Sequence, residues 1–287
     1  MDVSSLSHIS CNLGYLYVYH GCRLLLCLGV IIICSVALAV MDCMMVKNAK
    51  IAVMFPRRYK MKRLVVMQPT YLPYVGYFSL IDRSDVFVFL DDVQFSNQSW
   101  QQRNRIKTHN GPLVLTVPVV HNGKQQIRDV KIDNTQGWRR KHLLSIENNY
   151  KKCKYFNNNY KYIQQVINHK YKYLDRLNRT LIYTICDILD LKFISFCSSN
   201  IKTSGNRINR LIDICKHFRC DTYLSTIGSK DYLDMGVFNQ NGIKVEFFKP
   251  QETKYPQMYN GFIPDLSIID LLFNMGEHSI DVIRGGT

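Results

Sequence analysis

Two adjacent carboxylates, Asp91 and Asp92, end an apolar run and are followed by Gln94 and by the basic stretch Arg103-Asn104-Arg105-Ile106-Lys107. A carboxylate placed where a strand gives way to a loop can act as a general base or ligate Mg²⁺. Successive strand residues point to opposite faces, so at most one of the pair should meet a ligand. The competing reading is structural, with Asp92 capping a turn and Asp91 paired to Arg103 or Arg105. Guanidinium forks match phosphate and carboxylate bidentately, and alternation sets Arg103 and Arg105 on one side and Asn104 on the other. The same stretch could equally be a solvated basic hairpin.

Upstream, Gln68, Tyr71, Tyr74 and Tyr77 lie in or beside a turn rich in proline and carry hydrogen-bonding tips on rigid side chains. Aromatic turn residues more often pack than react, so packing is the default for any one tyrosine. Downstream, Gly228-Ser229-Lys230 resembles a small anion-binding loop but lacks the spacing of a phosphate-binding P-loop. Ser267, Asp270 and Asn274 recur at spacings of three and four and so share a helix face. The eight histidines show no metal-ligand spacing, and His109, His121 and His142 read as surface residues. No metal site is predicted, and there is no Gly-x-Ser-x-Gly nucleophile elbow.

These residues need a scaffold. Leu64–Met67 and Val86–Leu90 are continuous apolar runs, expected as strands buried on both faces. Between them Pro69, Pro73 and Gly76 force a tight turn that leads into a helix over about 75–84. Residues 95–107 read as a polar loop, 113–119 as a strand and 127–132 as an edge strand. A polar helical region spans 138–173. Leu174, Leu177, Leu181, Ile182, Ile185 and Ile188 then mark an amphipathic helix. Further strands are expected at 192–196, 222–225 and 243–248. A helix begins at Ser204 with Ile208, Leu211, Ile212 and Cys215 on one side, and a last helix covers 266–274. This alternation predicts an α/β protein with a mainly parallel, Rossmann-like sheet and a helical insert at about 138–190. In such sheets ligands bind beyond the carboxyl ends of the strands, where Gln68 and the Asp91-Asp92 pair are expected.

The chain has 287 residues, ordinary hydrophobic content and a net charge of +15. Of this, +4 belongs to residues 1–60 and +11 to residues 61–287. A basic protein favours anionic partners such as nucleotides, sugar phosphates, nucleic acid or an anionic membrane face. Much of the excess lies between Arg139 and Lys172, where genomic composition drift would give the same bias. Half of the ten cysteines precede residue 60, and none forms a Cys-x-x-Cys pair. The five in the main body read as reduced, mostly buried thiols of a cytoplasmic protein.

Residues 1–60 form a hydrophobic extension in which Leu24–Met41 carries no charge and is just long enough to span a bilayer. The basic residues that follow, from Lys47 to Arg63, would keep the next domain in the cytoplasm, tethered to the inner membrane. Alternatively, Met61 is the natural start and the first sixty residues are an over-extension. A cleaved signal peptide fits less well, because an early positive cluster is missing.

The run Gln68-Pro69-Thr70-Tyr71-Leu72-Pro73-Tyr74-Val75-Gly76-Tyr77-Phe78, with Phe89-Leu90-Asp91-Asp92-Val93-Gln94-Phe95, Arg103-Asn104-Arg105-Ile106-Lys107 and Leu115-Thr116-Val117-Pro118-Val119, resembles the WbqC-like protein family. Tyr223-Leu224-Ser225, Asp231-Tyr232-Leu233 and the stretch from Leu266 to Gly276 fit the same family in order, so the resemblance covers about 61–280. One departure is Thr226, where the family commonly has glycine after Tyr-Leu-Ser. What the resemblance implies is a transferase of surface-polysaccharide (O-antigen) assembly. It would move an acyl or aminoacyl group, such as glycyl, to the amine of a nucleotide-linked amino sugar. Asp91 or Asp92 would deprotonate the amine, and Arg103, Arg105 and Lys230 would hold the diphosphate. The donor could be an aminoacyl-tRNA. The alternative from another class is a non-catalytic nucleotide-sugar-binding or scaffold protein of the same pathway. More distantly, Tyr74-Val75-Gly76-Tyr77 sits where adenylate-forming nucleotidyltransferases carry His-x-Gly-His. Tyrosines replace both histidines, which argues against adenylation.

Overall fold

The computed structural model of the chain describes residues 63–203, 207–250 and 253–285. Strand β1 (Arg63–Met67) turns through Gln68–Tyr74 into helix α1 (Val75–Arg83) and returns as β2 (Val86–Phe89). Next come a hairpin of β3 (Arg103–Thr108) and β4 (Gly111–Thr116), and a short pair of β5 (Val119–Val120) and β6 (Lys131–Ile132). Three helices follow: α2 (Trp138–Tyr150), α3 (Phe156–Asn168) and α4 (Leu174–Ile188). The chain re-enters the main sheet as β7 (Ser195–Cys197), then α5 (Arg207–His217), β8 (Thr222–Thr226), α6 (Met235–Gln240) and β9 (Lys244–Phe248). Helices α7 (Ile268–Met275) and α8 (Ser279–Arg284) close the described chain.

The main sheet has the order β7-β2-β1-β8-β9 and every pairing in it is parallel. Alternate strand residues feed two cores. Val65, Phe87 and Phe89 pack with Tyr77, Phe78 and Leu80 of α1 and with Leu181 and Ile185 of α4. Leu64, Val66, Val86 and Val88 pack with Leu211, Ile212 and Cys215 of α5 and with Phe238 of α6. Both faces are therefore covered, which is why these strands are apolar without alternation. Helix α1 covers one face and α5 and α6 the other, so the sheet reverses its winding between β1 and β8. The carboxyl ends at such a reversal form the ligand crevice of open α/β sheets.

Several local expectations are corrected. Residues 103–108 are strand, not loop. Buried Asn104 and Ile106 alternate with the half-buried Arg103 and Arg105, and His109-Asn110 turns the chain before Gly111 at φ 101°. The strand after it begins at Gly111 and ends at Thr116. Of residues 127–132, only Lys131–Ile132 is strand, as β6. Ile127 and Val130 are both fully buried at a spacing of three, which a 3₁₀ turn at 127–129 supplies and a strand cannot. The polar region 138–173 is helical as expected and holds the two helices α2 and α3. His142 is buried, not on the surface. Helix α7 is not the last: Gly276, at φ 56° and packed against the Tyr155 ring, turns the chain into α8.

All five cysteines of the main body are free thiols, four of them buried. No helix among the described residues is long and apolar enough to cross a membrane. The apolar stretch 24–41 lies outside the described residues.

Candidate functional site

The turn Gln68–Tyr74 is fixed from several sides. The buried Asn104 amide donates to the carbonyl oxygens of Leu72 (2.6 Å) and Tyr71 (3.3 Å), and its Oδ1 accepts the Arg105 N–H at 2.7 Å. Leu72 sits at φ 43°, a left-handed conformation that costs about 1–3 kcal/mol and persists only under such constraint. The Asn178 amide donates to the Pro69 and Gln101 carbonyl oxygens, and the Tyr77 hydroxyl donates to the Gln68 carbonyl. Gln68 Oε1 accepts from Gln101 Nε2 at 2.8 Å. Tyr71 is fully buried, with its hydroxyl 2.9 Å from His142 Nδ1. Tyr71, Tyr77 and Asn104 are thus frame members, and they aim the next residue, Tyr74, outward.

Tyr74 lines a pocket of about 560 Å³ at the start of α1. Its floor is Met67, at the carboxyl end of β1, together with residues 73–77. Its walls are Trp100, Asn104 and Arg105 on one side and Lys249, Pro250, Thr253, Tyr255, Phe262 and Asp265 on the other. Segment 264–267 is held to this frame by the Ser267 N–H on the Arg105 carbonyl and the Ile268 N–H on the Pro73 carbonyl, both 2.8 Å. Gly76 is required by close approach: a Cβ there would lie 2.5 Å from the Tyr74 ring and 2.7 Å from Pro250 Cγ.

The electrostatics favour an anion. Helix α1, with Tyr74 as its N-cap residue, has no side-chain cap and no acidic residue in its first turn, and its N-terminal residues line the pocket, where the Asp265 charge beside Tyr74 offsets part of the helix dipole. Arg105 donates through Nη2 to the Asp265 carbonyl oxygen at 3.3 Å and lies 5.6 Å from the Trp100 ring centre. Its buried Nε and the buried Thr253 hydroxyl have no hydrogen-bond partner among the described residues. Lys249 is exposed at the rim. Burial, followed by the Asp265 charge, raises the Tyr74 pKa, so Tyr74 is a neutral hydrogen-bonding group here.

Asp91 and Asp92 do not line this pocket. Asp91 is buried at the end of β2, where Oδ1 accepts from the Ser199 N–H (2.9 Å) and Ser198 hydroxyl (3.1 Å), and Oδ2 accepts from the Ser199 hydroxyl (2.7 Å). Asp92 shares the one Ser198 hydroxyl proton with Asp91 and forms an ion pair with Arg210. Burial opposes its charge, but the Ser198 hydroxyl and the Arg210 guanidinium outweigh that and hold its pKa below the ordinary value. The expected pairing of Asp91 with Arg103 or Arg105 is replaced by serine contacts.

The remaining predicted residues are dispersed. Arg103 is half-buried on β3 outside the pocket lining, and Gln94 is exposed and donates to the Gly123 carbonyl. Lys230 is exposed on a 3₁₀ turn after β8, away from the pocket lining. Asp270 is buried behind the pocket and accepts the Tyr255 hydroxyl at 2.8 Å, while the Asn274 amide donates to the Asp270 carbonyl. Of the predicted residues, the pocket lining brings together Tyr74, Tyr77, Asn104 and Arg105. It adds Trp100, Lys249, Thr253, Tyr255, Phe262 and Asp265, which sequence reasoning missed. For all of them except Trp100, the one signal was the stretch 249–267 between two regular elements, rich in Tyr, Pro, Gly and Phe and too long for a simple connection. No cluster of three His, Cys, Asp or Glu residues among the described residues could hold a metal ion.

No solved structure matches the chain. An uncharacterized protein of Mycobacterium tuberculosis is 33% identical over 228 residues, covering 78% of this chain and 98% of the relative. The profile of the WbqC-like protein family matches residues 68–282, from the start of the frame turn to α8, and the chain therefore belongs to the WbqC-like protein family.

Proposed function

We propose that the pocket at the start of α1 binds a nucleotide-linked amino sugar and that the protein transfers an acyl or aminoacyl group, such as glycyl, to the sugar amine in surface-polysaccharide assembly. One observation carries the binding half. An uncapped helix N-terminus and the cationic side chains of Arg105 and Lys249 line a pocket walled by Tyr74, Trp100, Tyr255 and Phe262. Cations and backbone N–H groups suit a diphosphate, and flat aromatic walls suit a base or a sugar face. A volume of about 560 Å³ lies within the usual range for small-ligand sites.

For transfer, the amine nitrogen loses a proton, bonds to the donor's acyl carbon and expels the donor's leaving group, which takes up a proton. Asp265 is the carboxylate on the pocket wall and the base in this reading. Asp91 and Asp92 are the competing assignment. Their engagement by Ser198, Ser199 and Arg210 favours a structural role, and with it the second reading of a non-catalytic nucleotide-sugar binder. Incubation of the full chain with a UDP-linked 4-amino sugar and glycyl donors, including glycyl-tRNA, followed by mass spectrometry, separates the two. A sugar heavier by one glycyl group supports transfer. An unmodified sugar that still binds supports the binder.

A further inference from the structure

Behind the pocket wall lies a buried polar network whose hydrogen-bond directions can be followed atom by atom. Asp270 is completely buried, and its two carboxylate oxygens accept from two phenols, Tyr150 on Oδ1 and Tyr255 on Oδ2, each at 2.8 Å. The Tyr150 oxygen also accepts the Lys107 N–H at 2.7 Å, which leaves its own proton for Asp270. Two phenol donors are the pattern of an ionised carboxylate, which can only accept. The buried Lys107 ammonium supplies the compensating charge. It is held in turn by Gln257 Oε1 (3.2 Å) and the carbonyl oxygens of Tyr259 (3.4 Å) and Gly261. Burial is the largest influence on Asp270 and raises its pKa, opposed by the Tyr255 and Tyr150 hydroxyls and then by Lys107. Burial, followed by the Asp270 charge, pushes the Tyr255 phenol far up, so it keeps its proton.

These directions leave Tyr255 in an unusual state for a pocket-lining tyrosine. Its proton goes to Asp270 and the Gln257 side chain lies beside the same oxygen, so towards a ligand in the pocket it lines, Tyr255 can act only as an acceptor. We infer that Tyr255, with its proton fixed on Asp270, recognises an N–H donor on the ligand, and that the pocket selects amine-bearing sugars over analogues with no donor at that position. Tyr255 would touch the ligand, and Asp270 would be a positioning residue acting through it. The inference rests on the nucleotide-sugar reading and names the feature of the sugar that the site reads.

The test is calorimetric titration of the full chain with UDP, a UDP-linked 4-amino sugar and its 4-deoxy counterpart. A hydrogen bond to a charged amine is worth enough for about a tenfold preference for the amine in the wild type. Tyr255→Phe should cut that ratio by about threefold or more, leaving only what the Asp265 carboxylate contributes. Asp270→Asn should narrow it, because an amide lets the Tyr255 proton turn towards the pocket. A purely structural Tyr255–Asp270 contact would leave the ratio where it was in any variant that folds. Should Asp270→Asn fail to fold, Tyr255→Phe decides alone. Equal affinity for the two sugars in the wild type, or an unchanged ratio in Tyr255→Phe, overturns the inference while leaving nucleotide-sugar binding intact. No binding of UDP or either sugar by the wild type overturns both.

Discussion

Replacing His142 with glutamine should flatten a loss of stability that the wild-type protein shows in mild acid. His142 lies on α2 at 5% exposure, with Nδ1 2.9 Å from the Tyr71 hydroxyl and Nε2 3.1 Å from the Thr116 carbonyl oxygen. A neutral ring satisfies both contacts: Nε2–H donates to Thr116, and Nδ1 accepts from Tyr71. An imidazolium would set a second N–H against the Tyr71 hydroxyl, deep among Tyr71 and Trp138. Burial accordingly lowers the pKa from 6.5 to about 4, with the Thr116 carbonyl opposing the shift. A base whose pKa is depressed by folding binds its proton more readily in the unfolded chain. Its contribution is therefore complete above about pH 6.5 and is lost as pH falls towards about 4. With these two values, linkage gives a loss of about 2 kcal/mol between pH 7.5 and pH 5.

The assay is urea unfolding of both proteins at the two pH values. Glutamine can keep one donor and one acceptor in the same place but cannot titrate. It also removes ring packing against Tyr71 and Trp138, so the variant should be less stable throughout, and the pH difference is what counts. Carboxylates with shifted pKa values are common to both proteins and cancel. The wild-type loss should exceed that of His142→Gln by about 2 kcal/mol with unchanged urea slopes. Losses equal to within about 0.5 kcal/mol would refute a neutral, buried His142.

Asn104→Ala strands the Leu72 carbonyl and the Arg105 N–H in the interior and weakens the grip on a left-handed Leu72. It should cost about 3 kcal/mol in denaturant unfolding, and a loss below about 1 kcal/mol would contradict the frame role. Gly76→Ala pushes a methyl group into the Tyr74 ring and Pro250, which should cost about 1–3 kcal/mol and weaken ligand binding as the pocket floor shifts. Thermal melts and titration of the same preparation check both effects, and unchanged melting and binding would count against the close approach. Asp92 has a lowered pKa, so its pair with Arg210 contributes above the ordinary carboxylate pKa and fades as pH falls through the lower value. Arg210→Met should therefore lower the unfolding midpoint most at neutral pH and progressively less below pH 4; a deficit that does not shrink in acid would argue against the ion pair.

Much of the scaffold was legible because its signals are local. The apolar runs 64–67 and 86–90 are buried on both faces, and the spacing from Leu174 to Ile188 marks α4 without further help. The turn of Pro69, Pro73 and Gly76 also announced itself, since those residues restrict the backbone directly. Residues 127–132 misled because Val130-Lys131-Ile132 alternates as a strand does, while the 3₁₀ turn before it is tied down by the distant Val93 carbonyl that accepts the Ile127 N–H. His142 misled because its neighbours Arg140 and Lys141 are exposed, while the helix turns this one residue inward to Tyr71, seventy-one positions away. The pocket was half legible. Tyr74, Asn104 and Arg105 come from motifs with clear punctuation. Lys249, Tyr255, Phe262 and Asp265 reach it through long-range contacts of an irregular segment with β3 and the frame turn, which no periodicity encodes. Asp91 and Asp92 drew attention as adjacent carboxylates at a strand end, and their partners Ser198, Ser199 and Arg210 are more than a hundred residues away.

The central claim is that the ligand sits at the start of α1 and not at the Asp91-Asp92 cluster. Calorimetric titration of a UDP-linked 4-amino sugar into the wild type, Arg105→Ala, Asp91→Asn and Asp92→Asn tests it most directly, provided thermal melts confirm that each variant is folded. The predicted result is binding by the wild type, a loss of about tenfold or more in Arg105→Ala, and changes within about threefold in both aspartate variants. Undiminished binding in Arg105→Ala together with its loss in Asp91→Asn or Asp92→Asn would contradict it.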